Sequence, residues 1–185
     1  MPSSAISDAK KAMERTLEAT REDFAAVRTG RANPGIYAKV LVDYYGNPTP
    51  LQQLASFAVQ DARTILISPY DENALRDIEV ALSSSEVGAN PSNDGKVIRV
   101  VMPELTQERR QEYVKLIKSK AEEHRVSIRN ARRAAKEIID EMVDDGDIGK
   151  DEGRRAEKEL DELTRKYVDQ IDEMAKNKEE ELLEV

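Results

Sequence analysis

The sequence contains no cysteine and no tryptophan, and it has two phenylalanines among its 185 residues. Without cysteine the chain forms no disulfide or zinc ribbon and carries out no thiol chemistry, which agrees with a reducing compartment. No stretch approaches the roughly 20 apolar residues that a membrane helix requires, and the first residues lack the pattern of a secretory signal. We therefore expect a cytoplasmic protein that does not insert into a membrane.

Charged residues are abundant, at 36% of the chain, while hydrophobic residues make up 39%. Such a chain is too apolar for disorder and too poor in aromatic residues for a thick core. Long helices packed along narrow seams fit this composition best. The formal net charge of -8 disfavours unselective coating of nucleic acid, so we expect no DNA partner.

Three segments, at about residues 4–28, 106–143 and 150–183, show the apolar spacing of alternating threes and fours that is typical of bundled helices. Thr106 is the predicted N-cap of the second segment. The apolar seam of that segment is predicted to end with Ile128, Ala131, Ala135, Ile138 and Met142. We expect an antiparallel three-helix bundle built from residues 1–29 and 105–185.

Residues 30–104, between the first two helices, have a different pattern that predicts four strands and one short helix. The strands are expected at residues 39–45, 54–59, 64–68 and 96–102, and the helix at residues 73–82. The predicted fold class is therefore α+β: an elongated three-helix bundle with a small inserted α+β domain of β/α/β sandwich-like type.

Two short connections join the inserted domain to the bundle. Because two short connections restrain translation and permit rotation, we interpret them as a hinge. The alternative is a rigid corner sealed by packing, but few large apolar residues flank the junctions. The hinge residues are Arg28, Thr29, Gly30 and Arg31 on the way out and Met102, Pro103, Glu104 and Leu105 on the way back.

The most informative feature is a row of cations in the second helix, here called the basic row: Arg125, Arg129, Arg132 and Lys136. Their spacings of four, three and four put them on one helix face, roughly 100° from the apolar seam. Residues 125–136 hold five cations and no carboxylate. Planar guanidiniums on a rigid rod suit a phosphate backbone, whereas the alternative is a solvated helix face.

Helix lengths indicate where the basic row lies. The first helix, at about 25 residues, spans roughly 38 Å, and the second, at about 38 residues, spans roughly 57 Å. If both meet at the insertion point, the first covers the first two thirds of the second. We therefore expect residues 129–136 near or beyond the N-terminus of the first helix, at an exposed tip.

Residue patterns for catalysis are missing. The one histidine, His124, lies on the seam and is expected to be a packed, hydrogen-bonded core residue, because no nucleophile pairs with it. Asp145 and Asp147 mimic the start of a calcium loop, but Lys150 and Ala156 stand where that loop requires Gly and Glu. We read this segment as a turn, and we expect no enzymatic activity, no cofactor and no metal.

Several motifs, in order along essentially the whole chain, resemble the bacterial ribosome recycling factor family. The motifs are RTGRANP at 28–34, YYGNPTPL at 44–51, LAS at 54–56, Asn90 and Pro91 with Gly95, LTQERR at 105–110, AE at 121–122 with RV at 125–126, and RNARR at 129–133. Two departures are visible. Ala134 stands where many members have an aspartate, and residues 161–165 (DELTR) differ from the commoner QKLTD.

The resemblance implies an L-shaped protein of transfer-RNA size that has no catalytic activity of its own. It also implies binding across the intersubunit face of the post-termination ribosome, with the bundle tip on large-subunit ribosomal RNA. The resemblance further implies that elongation factor G and GTP move the inserted domain about the hinge and separate the subunits.

Together, the basic row and the resemblance lead to one hypothesis: a monomer that docks on ribosomal RNA without enzymatic activity. The expected contacts are Arg129, Asn130, Arg132 and Arg133, while Arg125 and Lys136 add positive field. One rival hypothesis is a coiled-coil adaptor that joins another protein. The other is a nuclease or other enzyme, which the missing site makes remote.

Overall fold

The computed structural model describes residues 1–85 and 90–184. Two compact units divide the chain, and each unit combines segments that are distant in sequence. The bundle unit comprises Met1–Phe24 and Val114–Glu181. The inserted unit comprises Ala25–Tyr113 with Leu182–Val185. The fold class predicted from the sequence, a helix bundle with a small α+β domain, is confirmed.

The α-helices of the described ranges are α1 (Pro2–Ala25), α2 (Leu51–Leu54), α3 (Leu75–Ser83), α4 (Gln107–Asp144) and α5 (Lys150–Leu183). The strands are β1 (Leu41–Tyr44), β2 (Asn47–Pro50), β3 (Ala55–Val59), β4 (Thr64–Pro69), β5 (Asn90–Asn93) and β6 (Ile98–Val101). No helix in these ranges has enough length and apolar character to span a bilayer.

In α4 the buried stripe consists of Ile117, Ala121, Ile128, Ala135 and Ile139. The predicted seam is wrong near its end, because Ile138 is 48% exposed whereas Ile139 is 1% exposed. A straight helix of 3.6 residues per turn drifts from a strict seven-residue repeat. The residue four positions after Ala135, which is Ile139, therefore faces the core in place of Ile138.

Local hydrogen bonds define both ends of α4. At the N-terminus the Thr106 hydroxyl accepts from Arg109 N at 3.2 Å, which confirms the predicted N-cap. At the C-terminus Asp147 N donates to Met142 O and Gly146 N donates to Val143 O, with Gly146 at φ 77°. This pattern is a Schellman motif, so the calcium-like segment is a helix-ending turn, as predicted.

Side-chain contacts fix the register of the three long helices in the bundle unit. Arg125 pairs with Asp172 and Arg132 pairs with Asp161, so α4 and α5 are antiparallel. In α1, Asp23 contacts His124, and Glu14 accepts from the Tyr167 hydroxyl. These contacts place α1 antiparallel to α4.

The predicted coverage of α4 by α1 is therefore wrong. Asp23, near the end of α1, is level with His124 rather than with the start of α4. From Asp23 back to Pro2, α1 extends about 31 Å, whereas Lys136 lies about 18 Å from His124 along α4. Consequently α1 runs alongside residues 129–136 and continues beyond them. The prediction failed because it assumed that both helices meet at the insertion point.

The inserted unit contains a four-stranded antiparallel sheet with strand order β3-β4-β6-β5, and a separate β1-β2 hairpin. Helix α3 packs against β1 and β5. Ile65 and Ile67 of β4, Ile98 of β6 and Ile78 of α3 are all fully buried. Burial of these aliphatic side chains between helix and sheet is the main force that holds the unit together.

Two strands, β2 and β5, have no counterpart in the sequence prediction. Both contain Asn-Pro, and asparagine and proline are depleted in strands. In the described sheet β5 is an edge strand, where proline is tolerated. The β1-β2 hairpin turns through Tyr45 and Gly46, whose φ values are 50° and 81°, the pattern of a two-residue type I′ turn.

Candidate nucleic-acid interface

The cations of α4 spread around one side of the helix. At 100° per residue, Arg132 lies about 40° from Ile128, Arg129 about 100° and Arg133 about 140°. The arginine that lies farther around the helix from Ile128 is the more exposed: the side chain of Arg132 is 31% exposed and that of Arg129 is 52% exposed. The three predicted arginines therefore share one broad face, within about 100° of each other, whereas Asn130 lies about 200° from Ile128 and about 160° from Arg132.

Carboxylates contact the first half of the basic row. Arg125 Nε donates to Asp172 Oδ1 at 2.6 Å, and Arg125 Nη1 donates to Glu122 at 2.8 Å. Arg129 Nη1 also donates to Glu122, at 3.1 Å. These hydrogen bonds from Arg125 and Arg129 lower the pKa of Glu122, so this carboxylate stays ionised at neutral pH. Burial opposes the charge of Arg125, but its bonds to Asp172 and Glu122 prevail and raise its pKa.

The second half of the row is paired as well. Arg132 Nε donates to Asp161 Oδ1 at 2.6 Å, and Arg132 Nη2 lies 3.9 Å from Glu157. Lys136 Nζ donates to Asp140 at 2.7 Å and lies 3.9 Å from Glu157. The hydrogen bond to Asp140 raises the pKa of Lys136 against the effect of burial.

Arg133 and Asn130 differ from these paired residues. Both are exposed, and neither side chain has a hydrogen-bond or ion-pair partner in the part of the chain that the structure describes. An arginine presents five N–H donors in a planar fork, and an asparagine amide presents two donors and one acceptor oxygen. This pair therefore provides side chains of α4 whose hydrogen-bonding groups are not engaged within the described chain.

Carboxylates around the basic row were not predicted from the sequence. Residues 125–136 contain no acid, yet Glu122 and Asp140 on α4 and Glu157, Asp161 and Asp172 on α5 pair with the row. A signal existed in α5: Glu157, Asp161 and Asp172 are four and eleven residues apart, which are same-face spacings in a helix. The row is thus largely neutralised within the molecule.

The predicted hinge residues of the outgoing connection lie in irregular backbone. Arg28 donates to the carbonyl oxygen of Pro103, which links the two connections. Thr29 is 7% exposed, and Gly30 has φ 86°, a left-handed conformation that favours glycine. Arg31 forms an ion pair with Glu184 at 2.7 Å.

The returning connection is anchored in the inserted unit. Met102 is fully buried, and its N–H donates to Arg63 O at 2.7 Å. Glu104 lies 3.7 Å from Arg63 in an exposed ion pair. Leu105 is 8% exposed, and its Cγ lies 3.7 Å from the position of a Cβ added to Gly30. The two predicted hinge segments therefore contact each other.

His124 is a packed, hydrogen-bonded residue, as predicted. Its Nε2 lies 2.7 Å from Asp23 Oδ2, and the two side chains are 13% and 20% exposed. Within residues 1–85 and 90–184, no group of three His, Asp or Glu is arranged to hold a metal ion.

Comparison with known proteins gives consistent results. The chain matches the family model described as Ribosome recycling factor over residues 20–183. It is 72% identical over 180 residues to the ribosome-recycling factor of Micrococcus luteus, covering 97% of each chain. It is also similar to a solution structure of the ribosome recycling factor, with a TM-score of 0.79, 38% identity and coverage of 100% of this chain and 98% of that one.

A second similar structure has a TM-score of 0.72 and 36% identity and covers 100% of both chains. It comprises models for the T. thermophilus ribosome recycling factor and the E. coli elongation factor G bound to the E. coli post-termination complex. The chain belongs to the ribosome recycling factor family, which confirms the resemblance seen in its motifs.

Proposed function

We propose that this chain recycles ribosomes after translation termination by binding large-subunit ribosomal RNA along the outer face of α4. The proposed contacts are Arg129, Asn130, Arg132 and Arg133, with Arg125 and Lys136 adding positive field. The observation that carries the proposal is the exposure of Arg133 and Asn130 without partners in the described chain, with Arg133 on the same face as Arg129 and Arg132. Free guanidinium and amide groups on a rigid helix suit phosphates and base edges.

The proposed partners are the post-termination ribosome and elongation factor G. One similar structure holds a ribosome recycling factor with elongation factor G on a post-termination complex, which supports the same partners here. In this proposal the chain is a cytoplasmic monomer without enzymatic activity, cofactor, membrane or DNA partner. GTP hydrolysis by elongation factor G supplies the free energy for subunit separation.

The proposed moving part is the inserted domain, at residues 30–104, relative to the bundle of residues 1–29 and 105–185. Residues 28–31 and 102–105 form the proposed hinge. Support comes from the irregular backbone of both segments and from the left-handed conformation of Gly30, since hinges are short segments that absorb dihedral changes.

Binding of the full chain to purified large ribosomal subunits, measured across a salt series, tests the RNA contacts. We expect Arg133→Ala to weaken binding and to reduce the salt slope by about one, because one phosphate contact is lost. Arg155→Ala is the matched control: this exposed arginine of α5 also has no partner in the described ranges. Equal binding by both variants, or salt-insensitive binding through a protein, contradicts the proposal and favours the adaptor hypothesis.

Gly30→Ala tests the hinge. Alanine at this left-handed position is strained by about 1–2 kcal/mol, although Leu105 leaves ordinary contact space for the added Cβ. We expect unchanged ribosome binding but slower subunit splitting by elongation factor G and GTP. Gly95→Ala is the control, because Gly95 has φ 97° and nothing within 4 Å of an added Cβ. Equal splitting rates for both variants contradict the hinge.

A further inference from the structure

Asp161 contacts Arg132 at one edge of the guanidinium. Asp161 Oδ1 accepts from Nε at 2.6 Å, while Glu157 lies 3.9 Å from Nη2, beyond hydrogen-bond distance. Nε carries one of the five N–H donors of arginine, and the two Nη groups carry the other four. The contact therefore holds the side chain at Nε, while none of the four Nη donors makes a hydrogen bond in the part of the chain that the structure describes.

Arg125 also donates from Nε to an aspartate of α5, but it makes a second hydrogen bond that Arg132 lacks. Its Nε donates to Asp172 at 2.6 Å, and its Nη1 also donates to Glu122 at 2.8 Å. Its side chain is 23% exposed, compared with 31% for Arg132. Arg125 is thus hydrogen-bonded at two of its nitrogens, whereas Arg132 is hydrogen-bonded at Nε alone within the described chain.

We propose that Asp161 is a positioning residue that holds Arg132 with both Nη groups directed to a ribosomal RNA phosphate. This inference rests on the proposed function, because it requires Arg132 to contact RNA. Arginine binds phosphate best through two parallel N–H bonds, and the Nη pair supplies such a fork. Asp161 stands on α5 and pairs across to α4, so it orients the guanidinium from outside the RNA-binding helix.

Two effects of Asp161 oppose each other. Ordering a flexible side chain on binding costs about two- to tenfold in affinity, and Asp161 removes that cost by ordering Arg132 in the free protein. Its negative charge also repels the phosphate. This carboxylate is 49% exposed, so water and salt screen the repulsion. The ordering effect therefore prevails.

Two substitutions separate these effects, measured as binding of the full chain to purified large subunits. Asp161→Ala removes both the acceptor oxygen and the charge, and it frees Arg132 to turn towards Glu157. We expect its affinity to fall about three- to tenfold. Asp161→Asn keeps an oxygen that accepts from Nε and removes the charge. We expect its affinity to stay within about twofold of the original or to rise, because the phosphate loses a repelling neighbour.

Asp172→Ala is the matched control, since it deletes an equal charge and an Nε contact of equal length from the same helix. We expect its affinity to remain within about twofold or to rise, because the charge effect alone operates. In the Arg132→Ala background, Asp161→Ala is expected to cause no further loss, since its effect passes through Arg132. Circular dichroism and melting temperature check that every variant is folded.

The outcomes distinguish this inference from the function on which it rests. If Arg132→Ala binds like the original chain, the assignment of Arg132 to RNA fails, and the role of Asp161 fails with it. If Arg132→Ala weakens binding but Asp161→Ala does not, the function stands and the positioning role is overturned. Equal losses for Asp161→Ala and Asp161→Asn also overturn positioning, because the charge rather than the hydrogen bond is then required.

Discussion

His124 Nε2 lies 2.7 Å from Asp23 Oδ2, and this pair joins the middle of α4 to the last turn of α1. Both side chains are largely buried, at 13% and 20% exposure. The contact therefore sets the register of the bundle. It also explains why α1 extends alongside the basic row of α4.

We expect His124→Ala to lower the free energy of unfolding by about 1–3 kcal/mol, because both the packing of the imidazole and its hydrogen bond to Asp23 are lost. His124→Phe keeps an aromatic ring at the site and removes the nitrogen, so it separates packing from hydrogen bonding. Urea denaturation of the three proteins at pH 7 provides the measurement. If His124→Ala leaves the midpoint unchanged, the pair contributes nothing to stability.

Much of this architecture could be predicted from apolar spacing. The three long helices and strands β1, β3, β4 and β6 follow from side-chain periodicity, since burial of one face dictates which residues are apolar. Strands β2 and β5 escaped prediction because hairpin geometry and edge pairing, rather than residue propensity, place Asn-Pro segments in strands.

The site was harder to predict than the fold. Spacing correctly placed Arg129 and Arg132 on one face of α4, but it carries no information on which α5 residues face them. The partner acids Asp161 and Asp172 depend on the register between two helices, which is a tertiary property. Hence the local charge imbalance of residues 125–136 overestimated the free positive charge.

Asp71 makes the stability of the inserted unit pH-dependent. Hydrogen bonds from Asn73 N and from the Tyr44 hydroxyl lower the pKa of Asp71. A carboxylate with a lowered pKa stabilises the folded state at pH values above about 3.9, the pKa of aspartate in the unfolded chain. This contribution is lost as the pH falls through the pKa of the carboxylate in the folded protein.

We therefore expect Asp71→Asn to unfold at lower urea concentration than the original chain at pH 7. The difference between their midpoints should shrink from pH 5 to pH 3, because Asp71 takes up a proton at higher pH in the unfolded state than in the folded state. Tyr44→Phe removes one of the stabilising donors, so it should reduce the pH dependence of the original chain. A midpoint difference that is constant over this pH range contradicts the role of Asp71.

Lys178 is a buried cation at 7% exposure, and its ammonium lies 3.6 Å from Glu181. Burial lowers its pKa despite the attraction of that carboxylate. We expect Lys178→Met to raise the free energy of unfolding by about 1–3 kcal/mol, because an apolar side chain avoids the desolvation of the charge. Lys176→Met, at an exposed position of the same helix, should give no such gain.

The sign of the pH effect follows from the lowered pKa. At pH 7 the buried charge of Lys178 destabilises the folded protein. This destabilisation decreases as the pH rises through the pKa of Lys178 in the folded state towards about 10.4, the pKa of lysine in the unfolded chain. The advantage of Lys178→Met should therefore shrink between pH 7 and pH 10 in thermal or urea unfolding. An advantage that grows with pH contradicts this account.

Gly153 has no side chain, and this allows α5 to pack closely against α4 beside the helix-ending turn. It is buried, and a Cβ built on it would lie 2.6 Å from Val143 Cγ2. Alanine gains about 1 kcal/mol of helix propensity over glycine, but overpacking against a branched side chain costs about 1–3 kcal/mol. We expect the clash to prevail, so Gly153→Ala should melt earlier than the original chain.

A second substitution tests this cause directly. Val143→Ala removes the clashing methyl groups, so Gly153→Ala combined with Val143→Ala should be more stable than the sum of the two single effects predicts. Gly149→Ala is the control, because nothing lies within 4 Å of a Cβ added there. Melting temperatures of the four variants measure the coupling, and strict additivity of the two substitutions shows that Val143 does not limit the approach of the helices.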